Sequence, residues 1–114
     1  MAALTRAFLA SAKVRAEYQP EPAVGQPPVR ILQIGDGNFL RAFADWMIDV
    51  ANGAGLCNGE VIVAQPLERG IAELMNAQDG LFTVLLRGVQ NGVAVDTRRV
   101  VSCVKKTLNP YAQW

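Results

Sequence analysis

The apolar positions along the chain divide it into a short series of elements. Residues 29–34, "VRILQI", form a β-branched and apolar run that stops at a glycine, the pattern of a buried strand. After the turn, "NFLRAFADWMIDVANG" (38–53) changes to helical spacing. Phe39, Phe43, Trp46, Met47 and Val50 recur at i, i+4, i+7, i+8 and i+11, which predicts one apolar face turned to a core. Asn38 stands where an N-cap would accept an early amide proton. Asn52-Gly53 supplies a stop that easily holds a left-handed residue. "GEVIVAQP" (59–66) predicts a second buried strand ended by Pro66. Strand, helix and strand in this order predict a right-handed βαβ unit with its strands parallel.

Around this unit the pattern is looser. Residues 4–17 predict a short helix with Leu4, Phe8 and Leu9 on one side. "QPEPAVGQPP" (19–28) holds four of the six prolines and reads as an extended connector, because each proline lacks an N–H and biases its predecessor away from the helix. "ERGIAELMNAQDG" predicts a short helical turn closed by Asp79-Gly80. "LFTVLLRGV" and "VAVDTRRVVSCV", joined around "QNG", give a strong antiparallel hairpin signal. The last residues, "KKTLNPYAQW", show no capping element.

Composition narrows the choices. The chain has 114 residues, enough for one domain at most. Apolar residues make up 51% and charged ones 18%, a balance with more sticky surface than a free-standing small domain keeps. Net charge is +1 and the eleven Lys and Arg are scattered, so neither nucleic acid nor a membrane surface is indicated as partner. No apolar run approaches the ~20 residues of a membrane span, and no signal peptide is expected in the first residues, whose apolar core is short and interrupted by Arg6. Cys57 and Cys103 are far apart and suit reduced thiols in a cytoplasmic protein. There is no histidine, which excludes from this chain a Ser-His-Asp triad, a Cys-His pair and a histidine metal site. No metal site and no complete catalytic group set is expected.

The junction "IGDGNFLRA" carries the candidate chemistry. Gly35 lets the chain leave the strand sharply, and Gly37 has no side chain to block a ligand. The amides at the helix start, with the positive dipole end behind them, suit a diphosphate. Asp36 opposes an anion there, and Leu40 stands where the standard dinucleotide fingerprint has its third glycine, so a structural turn remains the alternative. Arg41 in the first helical turn is unfavourable against the dipole by roughly 0.3–1 kcal/mol. A pair with Asp45 would return only ~0.2–0.5 kcal/mol, so a phosphate ligand explains Arg41 better.

"ILQIGDGNFLRAFADWMID", "VIVAQP", "QDGLFTVLLRG" and "LNPYAQW", in this order and spacing, resemble the mannitol dehydrogenase family of long-chain polyol dehydrogenases from about Val29 to Trp114. In that family's G-x-G-N-F-x-R-A pattern Leu40 and Arg41 are regular members. The resemblance implies a partial α/β Rossmann-like NAD-binding domain over 29–114, with a parallel βαβ unit plus an antiparallel hairpin, preceded by an extension and connector over 1–28. It implies that Gln33, Ile34, Gly35, Asp36, Gly37, Asn38, Phe39, Leu40, Arg41 and Ala42 line the NAD pocket.

Leu40 and Phe43 replace histidines common in the mannitol-oxidising branch, which favours the uronate branch and a sugar-acid substrate, altronate and tagaturonate being interconverted. Fructuronate or mannitol oxidoreductases are the rivals within the family. A methyltransferase, or a non-catalytic nucleotide-binding or interaction module, is the rival outside it. Strand two ends in Gln65 and Pro66, without the acidic residue that grips an adenine ribose; Glu68 could serve, or Arg69 could favour a 2′-phosphate. The family's catalytic lysine lies in a carboxy-terminal domain that this chain lacks, and Lys13, Lys105 and Lys106 do not match it.

Overall fold

The computed structural model describes residues 3–11, 19–20, 27–68 and 70–113. Val29–Ile34 (β1) and Glu60–Ala64 (β2) pair in parallel, as the βαβ pattern predicts. The ladder sets Ile31 beside Val61 and Gln33 beside Val63, on the face that holds the core. Leu32 and Ile34 alternate onto the other face and are 65% and 67% exposed. The expectation of a buried first strand is therefore corrected. That face is left open to solvent, and among the described residues β1 is also an edge of its sheet.

The connecting helix has the expected span, built from Asn38–Leu40 (α2), a π-helical turn Arg41–Asp45 and Trp46–Gly53 (α3), which follow one another without a break. Its buried face is not the one expected. Phe39, Phe43 and Met47 point outward, with the two rings stacked 5.3 Å apart, while Asp45, Asp49 and Asn52 are buried. Trp46 and Ile48 complete the inner face against the core. Polar groups waiting beneath the helix explain the inversion. Asn52 Nδ2 donates to the Gly59 carbonyl (2.7 Å) and its Oδ1 accepts from the Gly59 amide (3.0 Å). Asn52 thus binds the entry to β2 and does not serve as part of a helix stop; the left-handed residue falls later, at Gly55.

Phe82–Gln90 (β3) and Val93–Val101 (β4) form the hairpin. Asn91 and Gly92 both take positive φ (52° and 78°), the two-residue turn whose twist matches the strands. The base of this ribbon buries Phe82, Val84, Val100 and Val101, and its outer half is exposed. Asp49 docks it to the helix. The Asp49 carboxylate accepts from Arg99 Nε (2.8 Å), the Ser102 amide (2.8 Å) and the Ser102 hydroxyl (3.3 Å).

Those bonds turn the chain out of the hairpin at Ser102, and Val104–Leu108 (β5) crosses to the other sheet, parallel to β2. The sheet order is β1-β2-β5. Sequence reading carried the hairpin on to Val104 and missed this third parallel strand, because "VKKTL" lacks an apolar run. Ala72–Ala77 (α4) lies along β5, and closes as expected on left-handed Asp79 and Gly80. Asn76 exchanges two hydrogen bonds with the Thr107 backbone (2.8 and 2.9 Å), occupying peptide groups on the edge of β5.

At the start, Arg6–Leu9 (α1) is capped by Thr5 and buries Leu9 against Leu81 and Val100. The helix expected over 4–17 covers only Arg6–Leu9 among the described residues, with Ala10 as its C-cap; residues 12–17 and most of the connector lie outside them. At the end, Pro110–Gln113 (α5) forms a short helix where no capping was expected; Asn109 Oδ1 accepts from the Tyr111 amide (3.0 Å).

Candidate functional site

The candidate site lies where β1 passes into α2. The Gly35 amide donates to the Ala64 carbonyl (2.8 Å), so the turn begins while still tied to β2. Gly35 has φ +107°, a conformation that L side chains rarely adopt. Gly37 is different. Its φ of 179° is ordinary extended backbone, and a Cβ there would meet nothing within 4 Å. The fold does not require glycine at 37. The open space above it is what a side chain would fill.

Gly37, and not Asn38, is the N-cap, and it has no side chain to accept from the first helical amides. Those amides keep their donors at the positive end of the helix. Asn38 Oδ1 accepts instead from Arg41 Nη2 (3.1 Å). Arg41 Nε lies 3.7 Å from Asp36 Oδ1, with the two side chains 20% and 3% exposed. The Arg41–Asp45 pair weighed from sequence is not formed. The π-helical turn between them carries Asp45 into the interior, where it is fully buried. Asp36, which counted against an anion site, has its charge offset by Arg41 within the same turn.

Beneath the turn, Gln33 Nε2 donates to the Gly35 carbonyl (3.1 Å) and to Asp45 Oδ2 (3.3 Å). Asp45 Oδ1 has no protein hydrogen-bond partner. Burial pushes the Asp45 carboxyl up to about 6; the Gln33 bond and Arg41 oppose the shift, and Asp36 adds to it. Sequence reading placed Gln33 in the site but missed Asp45. The available signal was a polar residue inside each apolar run, in "ILQI" and "FADW". Burial, then the charges of Asp49 and Asp45, hold the Cys103 thiol protonated, and it donates to the Asp45 carbonyl (3.2 Å).

The structure thus gathers Gln33, Gly35, Asp36, Gly37, Asn38 and Arg41 around one turn. Leu40 is half-buried, its Cδ1 3.5 Å from where a Gly35 Cβ would stand, filling the position of the fingerprint's third glycine. Ile34, Phe39 and Ala42 are exposed beside the turn. At the end of β2, Gln65 is buried, and its Oε1 accepts from the Ile71 amide (2.7 Å). That oxygen closes its own loop. Glu68 is exposed, and Arg69 lies outside the described residues. Lys105 lies 3.9 Å from Glu60, Lys106 is exposed, and Lys13 lies outside the described residues. No helix among the described residues is long and apolar enough to cross a membrane.

No protein-family model matches the chain. It is 44% identical over 90 residues to the altronate oxidoreductase of Halalkalibacterium halodurans, covering 78% of this chain and 18% of that protein. The altronate oxidoreductase of Bacteroides thetaiotaomicron is 43% identical over 88 residues, again 18% of its length. The chain therefore spans about a fifth of the length of the curated relatives it matches. Among solved structures, Pseudomonas fluorescens mannitol 2-dehydrogenase, in a ternary complex with NAD and D-mannitol, superposes with a TM-score of 0.80 at 20% identity, over 98% of this chain and 23% of that one. A substrate-free D-sorbitol dehydrogenase gives 0.75 at 19% identity, with the same coverages. The α/β fold, with its parallel sheet and antiparallel hairpin, is that of these dehydrogenases. The sequence resemblance to altronate oxidoreductases holds over the matched stretch.

Proposed function

We propose that this chain is the cofactor-binding part of an NAD-dependent oxidoreductase that interconverts D-altronate and D-tagaturonate. The similarity to altronate oxidoreductases supports the substrate pair, and the open turn supports the cofactor. The observation that carries the reading is Gly37. Ordinary backbone and empty space together give a reason for glycine that folding does not supply. A diphosphate fits there, against the uncapped amides of the helix start and beside the Arg41 guanidinium. NAD, when bound, supplies the hydride chemistry. The residues of this chain bind and orient it: the Gly35 turn aims the helix start, and Gln33 holds the Gly35 carbonyl.

In this reading residues 29–114 are the partial dinucleotide-binding unit and 1–28 an extension. The substrate-binding and proton-transferring groups belong to a further domain of a longer, cytoplasmic protein. The open β1 face and the outward Phe39, Phe43 and Met47 are surface that such a domain would cover. The test is titration of NAD+ and, separately, S-adenosylmethionine into the wild-type chain and Gly37→Val. Wild type is expected to bind NAD+ alone. Gly37→Val is expected to fold, with a small loss of stability because valine is a poorer N-cap than glycine, and to lose binding. A variant that still binds NAD+ normally would sink the reading of the turn.

A further inference from the structure

Gln33 and Asp45 form a device that neither folding nor cofactor contact explains. Asp45 is fully buried with one oxygen lacking a protein partner, an arrangement that disfavours the ionised form and weakens the fold. Its one side-chain link is to Gln33 Nε2, and that same nitrogen holds the Gly35 carbonyl. A backbone carbonyl and an ionised carboxylate can only accept. Both therefore require the nitrogen end of the Gln33 amide, and its orientation is forced. A protonated carboxyl gains a donor that can serve the Gln33 oxygen. The amide then has a second arrangement, in which the Gly35 carbonyl loses its partner.

We propose that Asp45 is a positioning residue of the cofactor turn: ionised, it locks the Gln33 amide onto Gly35, and protonated, it releases the turn. The inference rests on the cofactor reading above. It explains why a destabilising carboxylate is buried two side chains from the glycine turn. The charged and titratable groups facing it are few. Asp36 from the turn favours the proton, Arg41 from the helix opposes it, and Cys103 from the β4–β5 link stays a neutral thiol. One helical turn on, Asp49 has its charge bound by Arg99. The rise of the Asp45 carboxyl to about 6 puts the change between ordinary carboxylates and neutrality.

The test uses two readouts. In the free chain, the Gly35 and Gly37 amide resonances are expected to titrate with a midpoint near that value in wild type, and not in Asp45→Asn. Asp36 remains in that variant, so any shift persisting there is its own. By calorimetry, NAD+ affinity of wild type should fall about tenfold from pH 7.5 to 5, following the ionised fraction of Asp45. Asp45→Asn should show no such fall. Gln33→Met keeps the carboxyl but cuts the link. It should abolish the Gly35 and Gly37 titration, and it carries the test if Asp45→Asn does not fold. NAD+ binding with one pH profile in wild type and variants overturns the inference and leaves the cofactor reading standing. Absence of NAD+ binding at every pH overturns the cofactor reading and this inference with it.

Discussion

At the scale of single residues, Arg41 and Asp36 give opposite expectations. If Arg41 serves a diphosphate, Arg41→Ala removes a charge-assisted hydrogen bond worth ~1.5–3 kcal/mol, and NAD+ affinity should fall roughly 10- to 150-fold. Because Arg41 also offsets the nearly buried Asp36, the variant should lose some stability without cofactor. Asp36→Asn removes the competing anion and should hold or tighten NAD+ binding, as read by fluorescence titration. Equal losses in both variants would make the pair a structural clip alone. Asp45 yields a stability signature of definite sign. Its proton is held more tightly in the folded than in the unfolded chain, so its contribution is full below the unfolded value near 3.8 and is lost as pH rises through about 6. Asp45→Asn should therefore raise the melting temperature at pH 7.5 and leave it unchanged at pH 3.5.

At the scale of elements, Asp49 joins three parts of the fold: α3, the end of β4 and the crossing to β5. Asp49→Ala leaves Arg99, 17% exposed, with only the residue-49 carbonyl as acceptor and no carboxylate, and the Ser102 amide without its acceptor. Removing one side of such a pair costs about 3–5 kcal/mol, here toward the lower end because Arg99 retains some solvent. Urea denaturation should register that loss, and hydrogen exchange should show the hairpin base opening first. The Arg87–Asp96 pair further out on the ribbon is well exposed on both sides, and Asp96→Ala should leave the urea midpoint unchanged. If the two variants behaved alike, the helix–hairpin dock would not be what holds the ribbon.

At the scale of the whole molecule, Leu32 and Ile34 on the open face of β1, and Phe39, Phe43 and Met47 on the outer side of the helix, are each at least half exposed. Sedimentation velocity should find concentration-dependent self-association, reduced by Leu32→Lys on the open face of β1. A monodisperse wild-type monomer across concentration would show that this surface is tolerated in water. Turnover is a separate matter. With no histidine and lysines only in surface positions among the described residues, the chain by itself should neither oxidise altronate nor reduce tagaturonate in a coupled absorbance assay.

Much of this molecule is legible in its order of residues. The run "VRILQI", the glycines 35 and 37, the 38–53 helix, "VIVA" and the "QNG" hairpin fall where periodicity and turn chemistry put them, because those signals are local. What local pattern could not decide was which way each element faces. A helix with apolar residues on one side and Asp45, Asp49 and Asn52 on the other is expected to bury the apolar side. Trp46 keeps its inward place, but Phe39, Phe43 and Met47 face out because Gln33 and Gly59, nearby in sequence, and Arg99 and Ser102, far along it, wait beneath the helix as hydrogen-bond partners. Arg41 and Gln65 found partners close by in sequence, at Asp36, Asn38 and Ile71, but at spacings that no helix or strand period singles out. Sequence by itself determined β1, the helix after it, β2, the hairpin, their order and the glycine turn, but not β5 or α5. The tertiary structure alone decided the buried polar pairings, because a side chain's hydrogen-bond partner is set by which backbone arrives beside it, and no local period encodes that arrival.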